Sequence, residues 1–597
     1  MREYSTPLNV ELPGVGNLTD DLLRHHAETP ELPLFSRRST STGEWVDITA
    51  ADFHQQVRSV AAGLIAAGIN HGDRVALWSS TRFEWTLVDY AIWYIGAVTV
   101  PIYETTSAEQ ATWILDNSGA VAALVETENH LTQITAAKPD LQELSQVWAL
   151  CNQDLDRLQE QGATVPTETL DTRRRAVTPD DLATIIYTSG TTDLPKGCQL
   201  THSNFMFELG TAVASLEELF SDDSAATLLF LPLAHVFARI IQVGCVQAGV
   251  RMGHSADLRN LVSDLSDFRP TFVLAVPRVF EKIFNTSSQL AVAAGKGKSF
   301  DRAAKVAISW SRAMEKGRPS PALAIQHRFF DRLVYAKLRA ALGDRCQFAL
   351  SGGAPLGERL VHFYRGMGIP ILEGYGLTET TAALTVNLPQ EQKVGTVGRP
   401  LPGTSVRVAD DGELWFQGGQ IFNGYWGNHE ATEEVLVDGW FRSGDLGEID
   451  DEGFVRITGR KKEIIITAGG KNVSPGVLEN QLRAHLLVDH ALVVGEGRPF
   501  IGALITLDRE QAIQWAQSKG KSTRIRDLVN DPDLVAEIDQ AVDQANNAVS
   551  RAESIRKFRI LPVEWTEESG LLTPSLKLKR NVLLARHADA IEDLYSR

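Results

Sequence analysis

Between residues 74 and 125, short apolar runs alternate with longer segments of helical spacing. Residues 75–78, 97–102 and 121–125 read as strands, with helices expected at 83–95 and 108–117 between them. Such alternation commits a chain to a parallel sheet with right-handed crossovers, helices covering both faces. Further strands are expected at 147–150, 182–187, 228–231, 272–276 and 347–350. In sheets of this kind ligands sit beyond the carboxyl ends of the strands. The most unusual residues of the chain follow those runs.

The first such stretch is 181–197, DLATIIYTSGTTDLPKG. A strand opens into Thr188, Ser189, Gly190, Thr191 and Thr192, with Lys196 and Gly197 closing the segment. Glycines let backbone N–H groups approach an anion, hydroxyls donate further hydrogen bonds, and lysine adds a point charge. A Walker loop needs Gly-Lys-Ser/Thr opening a helix, whereas here Pro195 precedes the lysine and Cys198 follows Gly197. Ser351-Gly352-Gly353-Ala354 ends another strand, where bare backbone lets a flat ring lie close. Glu373-Gly-Tyr375-Gly376-Leu-Thr378-Glu379 gathers an aromatic ring, a hydroxyl and two carboxylates. A glutamate suits Mg²⁺, which prefers hard oxygen ligands and keeps phosphate oxygens in its shell.

Tyr187-Thr-Ser-Gly-Thr-Thr-x-x-Pro-Lys-Gly, Tyr375-Gly-x-Thr-Glu379 and the segments below resemble the adenylate-forming superfamily. Within it the chain is most similar to bacterial long-chain fatty acid–CoA ligases, over about residues 22–585. One position departs: Asp193 stands where the family usually has glycine. The resemblance implies ATP, Mg²⁺ and coenzyme A as co-substrates and cofactor. It implies acyl-AMP formation from a fatty acid, then transfer to the CoA thiol. By position it assigns Thr188, Lys196, Glu379 and Lys577 to catalysis, Glu379 also to the metal. Ser189, Gly190, Thr191, Thr192, Gly353, Ala354, Tyr375, Gly376, Thr378, Asp445 and Arg460 go to the nucleotide, Asp445 on the ribose as a short-loop carboxylate whose plain alternative is a turn-forming Asp in Gly444-Asp445. His235, in Pro232-Leu-Ala-His235, goes to the acyl pocket.

The implied fold is α/β: a large N-terminal domain of doubly wound sheets with a β-rich part beginning near Gly412, and a small mobile α+β C-terminal domain. The boundary is expected at 458/459, giving units 1–458 and 459–597, with Lys462 as hinge in Arg460-Lys461-Lys462. In the C-terminal part, Asp531-Pro532 reads as a helix start, followed by Leu534, Ile538, Val542 and Ala545 at helical spacing. Residues 284–339 read as helices, a segment that short-chain relatives tend to lack.

Charge narrows the partners. A net charge of −17 over 597 residues argues against nucleic acid. Four scattered cysteines without a CxxC pair suggest reduced thiols in the cytoplasm. The first thirty residues show no leader pattern, and the longest apolar run, 90–103, is too short for a bilayer. Transient contact with a membrane surface stays open, though no basic amphipathic stretch stands out in the sequence. Two alternatives also stay open: a fatty acyl-AMP ligase loading a carrier protein, and a noncatalytic lipid- or nucleotide-binding protein. Acyl chain length and oligomeric state are not legible.

Overall fold

The structure is a computed structural model that describes residues 1–39, 42–188, 194–257, 259–573 and 576–596. One six-stranded sheet has the order Gln146–Ala149, Ala122–Val125, Arg74–Trp78, Val98–Ile102, Leu182–Thr188, Lys196–Thr201. Its first five strands are parallel and the last is antiparallel. Strand alternation splits its side chains between two cores. Val75 and Leu77 join the large core shared with the second sheet, while Ala76 and Trp78 face Ile114 and Leu115 on the other side.

The second sheet has nine strands, including parallel Ala226–Leu229, Phe272–Ala275, Phe348–Ser351 and Ile371–Tyr375. The helix Phe83–Tyr94 is buried all round except at Glu84, as a sequence apolar on every face requires. Its fully buried acid, Asp89, is satisfied by the equally buried Arg239. Trp93 donates its indole N–H to the Ala183 carbonyl of the first sheet at 2.8 Å, and Thr86 donates to Gln242 at 2.7 Å.

A third, antiparallel sheet is the expected β-rich part. Glu3–Ser5 pairs with Ser405–Val408, which pairs with Glu413–Gln417 and then Trp440–Ile449; Val455–Arg460 lies against the last. The chain turns through Lys461–Glu463 into a three-stranded sheet, Val488–Val494, Ile501–Leu507 and Ile555–Leu561, with its own core. Asp531 caps the helix Pro532–Asn546, accepting from the N–H groups of Asp533 and Leu534 at 3.0 and 3.2 Å. Residues 284–339 are helical as expected.

Two local expectations need correction. Lys196 does not lie in a loop but starts a strand, because its segment hydrogen-bonds to Leu182–Thr188. Asp445 lies within a ten-residue strand, at a register shift, and not in a free Gly-Asp turn.

Candidate active site

The strand pair formed by Leu182–Thr188 and Lys196–Thr201 is built around Gly197. A Cβ there would stand 2.7 Å from Ile185 and 3.0 Å from the Tyr187 ring, so only glycine lets the two strands close. Thr188 and Lys196 are cross-strand partners, and the Thr188 hydroxyl donates to the Lys196 carbonyl at 3.4 Å. Ser189, Gly190, Thr191, Thr192 and Asp193 lie outside the described residues. The other edge of Lys196–Thr201 is clamped by a turn: Trp426 N–H donates to Gly197 at 2.7 Å and Gln199 N–H to Gly424 at 3.0 Å.

That clamp places a residue the sequence reading missed. The Tyr425 ring lies 5.3 Å from the Lys196 ammonium, and its hydroxyl donates to Glu379 Oε1 at 2.8 Å. Burial first, and then the Glu379 charge, push the phenol pKa upward, so it remains a donor. Glu379 is held in the turn Thr378–Thr380, where its carbonyl accepts Phe422 N–H at 2.9 Å. Gly376 admits no side chain, since a Cβ would sit 1.5 Å from the Ala382 oxygen. The only sequence signal for Tyr425 is an aromatic pair between glycines, Gly424-Tyr425-Trp426-Gly427.

Tyr375 ends its strand with the hydroxyl donating to Asp445 Oδ2 at 2.6 Å, and Arg460 Nε donates to Oδ1 at 2.9 Å. Asp445 and Arg460 face each other across the third sheet. Each carboxylate oxygen retains a further lone pair, so the group can accept two more hydrogen bonds. The carboxylate is also the first cause holding the Arg460 pKa up.

Gly353, at φ +80°, follows the strand Phe348–Ser351. Ala354 comes next, and the Leu356 N–H donates to buried Glu373 at 3.0 Å, tying this loop to the adjacent strand. A Cβ on Gly352 would meet the Phe237 ring at 3.1 Å, which brings the start of the helix Val236–Ala248 against the loop. His235 caps that helix, its Nδ1 accepting Phe237 N–H at 3.1 Å, so the ring is neutral with Nε2 protonated. Burial, and next the charge of Lys577, push its pKa down to about 4.

Lys577 comes from the far end of the chain. Its backbone N–H donates to Thr573 Oγ1 at 3.0 Å and its carbonyl accepts Thr573 N–H at 2.8 Å. Lys577 is exposed to solvent, although charged groups of both parts of the chain act on it. Desolvation, and then Arg460, lower its pKa, while Asp445, Glu463 and Glu379 oppose that shift. One ammonium therefore feels both carboxylates of the nucleotide candidates and the His235 ring. Lys462 is exposed in the turn Lys461–Glu463, directly after anchored Arg460 and Lys461. Among the described residues no cluster of three or more His, Cys, Asp or Glu could cage a metal ion.

Residues 23–426 match the AMP-binding enzyme family, and residues 462–597 match the AMP-binding enzyme C-terminal domain. The chain belongs to the AMP-binding enzymes. Two relatives carry the name long-chain-fatty-acid–CoA ligase FadD15, from Mycobacterium bovis and Mycobacterium tuberculosis. Each is 50% identical over 602 residues, covering 100% of both chains. The chain is thus a member of the long-chain-fatty-acid–CoA ligase group of these ATP-using enzymes. The fold matches the o-succinylbenzoate coenzyme A synthetase of Bacillus subtilis, solved with ATP and magnesium ion. Its TM-score is 0.68 at 21% identity, covering 94% of this chain and 98% of that one.

Proposed function

We propose that this AMP-binding enzyme activates a long-chain fatty acid with ATP and transfers the acyl group to coenzyme A. The observation that carries the reading is the pair of anchored carboxylates, Asp445 held by Tyr375 and Arg460 and Glu379 held by Tyr425, with Lys577 of the C-terminal part within electrostatic reach of both. Full-length identity to the two mycobacterial ligases supports the substrate class.

The chemistry follows from charge. A fatty carboxylate is a poor acyl donor because oxide does not leave. Its oxygen attacks the α-phosphorus of ATP, the bond to the β-phosphate oxygen breaks, and pyrophosphate leaves. The CoA thiol then attacks the acyl carbonyl, its proton passes to solvent, and AMP departs. In the first step two anions must approach, so cations and donors on Thr188, Lys196 and Lys577 lower the barrier. Tyr375, Gly353, Ala354, Gly376 and Thr378 form the nucleotide wall, with Ser189 to Thr192 on the phosphates. Asp445, oriented by Arg460, takes the ribose hydroxyls. His235, neutral and beside the Gly352–Gly353 loop, borders the acyl carbonyl.

Glu379 fits Mg²⁺ of the kind held mostly by phosphates and water: Tyr425 occupies one carboxylate oxygen and no protein cage surrounds the other among the described residues. Bound there, the metal would neutralise polyphosphate charge. The units 1–458 and 459–597 are proposed to rotate about Lys462 between the half-reactions, withdrawing Lys577 before the thiol arrives. Free cysteines, three of them buried, suit a cytoplasmic setting.

An assay of AMP release with ATP and a fatty-acid length series, with and without CoA, tests the reading. Sustained turnover only with CoA, greatest on long chains, is expected. Adenylate that CoA does not discharge would point to a carrier protein, and no AMP in either arm to a binding role.

A further inference from the structure

The search of the rest of the molecule ends at the helical segment 282–339, which carries twelve Lys and Arg against three Asp and Glu, a local +9 in a chain of −17. Two of the three acids are already spent, Asp331 on Arg339 at 2.8 Å and Glu315 on Arg365 at 3.0 Å. Within this basic region lies the helix Pro321–Phe330, started by Ser320, whose hydroxyl accepts Leu323 N–H at 3.3 Å. It continues through a π-helical turn, Asp331–Tyr335, into Ala336–Ala341.

Its inward face is complete. His327 stacks on Trp310 with ring centroids 4.2 Å apart and donates to the Gly366 carbonyl at 2.6 Å. Tyr335 is buried and donates to the Ala303 carbonyl at 2.7 Å; Phe330 and Val334 pack on the main core. A second apolar row runs along the outward face at four-residue spacing. Ile325 is 71% exposed, Phe329 58% and Leu333 52%. Arg328 and Arg332, both exposed, alternate with that row. A helix already packed by one apolar face gains no fold stability from a second one turned to solvent, and rows of this kind mark interaction surfaces.

We infer that this outward face docks on an anionic phospholipid surface, Ile325, Phe329 and Leu333 entering the interface while Arg328, Arg332 and neighbouring lysines meet the headgroups. Charge complementarity selects this occupant. An apolar row flanked by cations matches a layer that is oily within and negative at its surface. The proposal does not rest on the acyl chemistry above. The sequence does not announce this face. Apolar, basic and buried residues are interleaved so closely in 321–337 that only the packing separates the two faces.

Flotation of the full chain with vesicles of phosphatidylcholine alone, or of phosphatidylcholine with phosphatidylglycerol, tests it. The wild type should float with the anionic vesicles and much less with the neutral ones, and added salt should weaken the binding. Two variants should each reduce partitioning at least ~10-fold: the triple Ile325→Ser, Phe329→Ser, Leu333→Ser and the double Arg328→Glu, Arg332→Glu. Both should retain adenylation of a short, soluble fatty acid; should the triple variant misfold, the exposed double variant still decides. Binding to neither vesicle, as expected if the face instead serves an acidic protein, overturns the proposal. So does binding that survives both variants.

Discussion

Arg278 donates to Asp489 at 2.6 Å and reaches Asp508 at 3.4 Å, joining the first turn of the helix Pro277–Ala293 to the C-terminal three-stranded sheet. The contact ties that sheet to the helix that follows the strand Phe272–Ala275. All three side chains are partly shielded from water, so the link should be worth more than a surface pair, about 1–2 kcal/mol. Arg278→Ala should slow acyl-AMP formation roughly tenfold by depopulating the docked arrangement. Thioester formation from supplied acyl-AMP should hold. Equal slowing of both half-reactions would mean that the pair only supports folding.

Lys577→Ala should separate the half-reactions more sharply. With the ammonium gone, pyrophosphate exchange should fall ~10²-fold or more, while synthetic acyl-AMP is still converted by CoA. A variant that makes adenylate normally and fails with CoA would move Lys577 to the thiol site.

Tyr425 and Glu379 should differ in degree. Tyr425→Phe keeps the ring beside Lys196 and removes one donor to the carboxylate, a loss of about 1 kcal/mol that should lower kcat/KM for ATP severalfold to tenfold. Glu379→Gln removes the charge itself and should cost at least ~10²-fold, with a steeper dependence on magnesium concentration. If Tyr425→Phe matches Glu379→Gln, the phenol touches substrate directly.

The difference between these two residues shows what was readable from sequence. Glu379 sits in a run whose residue types announce phosphate chemistry. Tyr425 acts only because Trp426 and Gly424 hydrogen-bond to a strand more than two hundred residues earlier, and sequence spacing carries no trace of that clamp. The strands near 75, 98 and 122 were legible because buried parallel strands are apolar throughout. Lys196–Thr201 was not, because Lys-Gly-Cys-Gln-Leu-Thr has neither an apolar run nor strict alternation and owes its form to its partner. Asp445 was read as a loop residue because glycines flank it at 444 and 447; the sheet absorbs them in a bulge. The Arg278 link joins two separately folded units and has no local signature at all.

Stability should depend on pH through Glu373. Burial leads in pushing its carboxyl up to about 7 from an ordinary 4.5, with the Leu356 N–H opposing. The folded state therefore holds this proton more tightly than the unfolded chain. The group's contribution is full below about pH 4.5 and is lost as pH rises through 7. Glu373→Gln keeps an acceptor for Leu356 and cannot ionise. Relative to wild type it should gain on the order of 2 kcal/mol between pH 5 and pH 8. Denaturant melts at the two pH values decide it; a constant difference would place the titration elsewhere.

The strand Glu3–Ser5 lies beside Ser405–Val408, with Ser5 and Ser405 hydroxyls hydrogen-bonded 400 positions apart in sequence. It belongs to the sheet that carries Asp445. On a ribosome adding roughly 5–20 residues per second, this segment waits tens of seconds for its neighbour. Through that interval it is an unpaired strand tethered to a growing chain, and the sheet that carries Asp445 closes late in synthesis. Extra residues fused ahead of Met1 would lie beside that last closure, since the Met1 ammonium itself donates to the Ile449 carbonyl at 2.6 Å. Their cost would register as a lower yield of active enzyme during translation, with the activity of molecules already folded left intact.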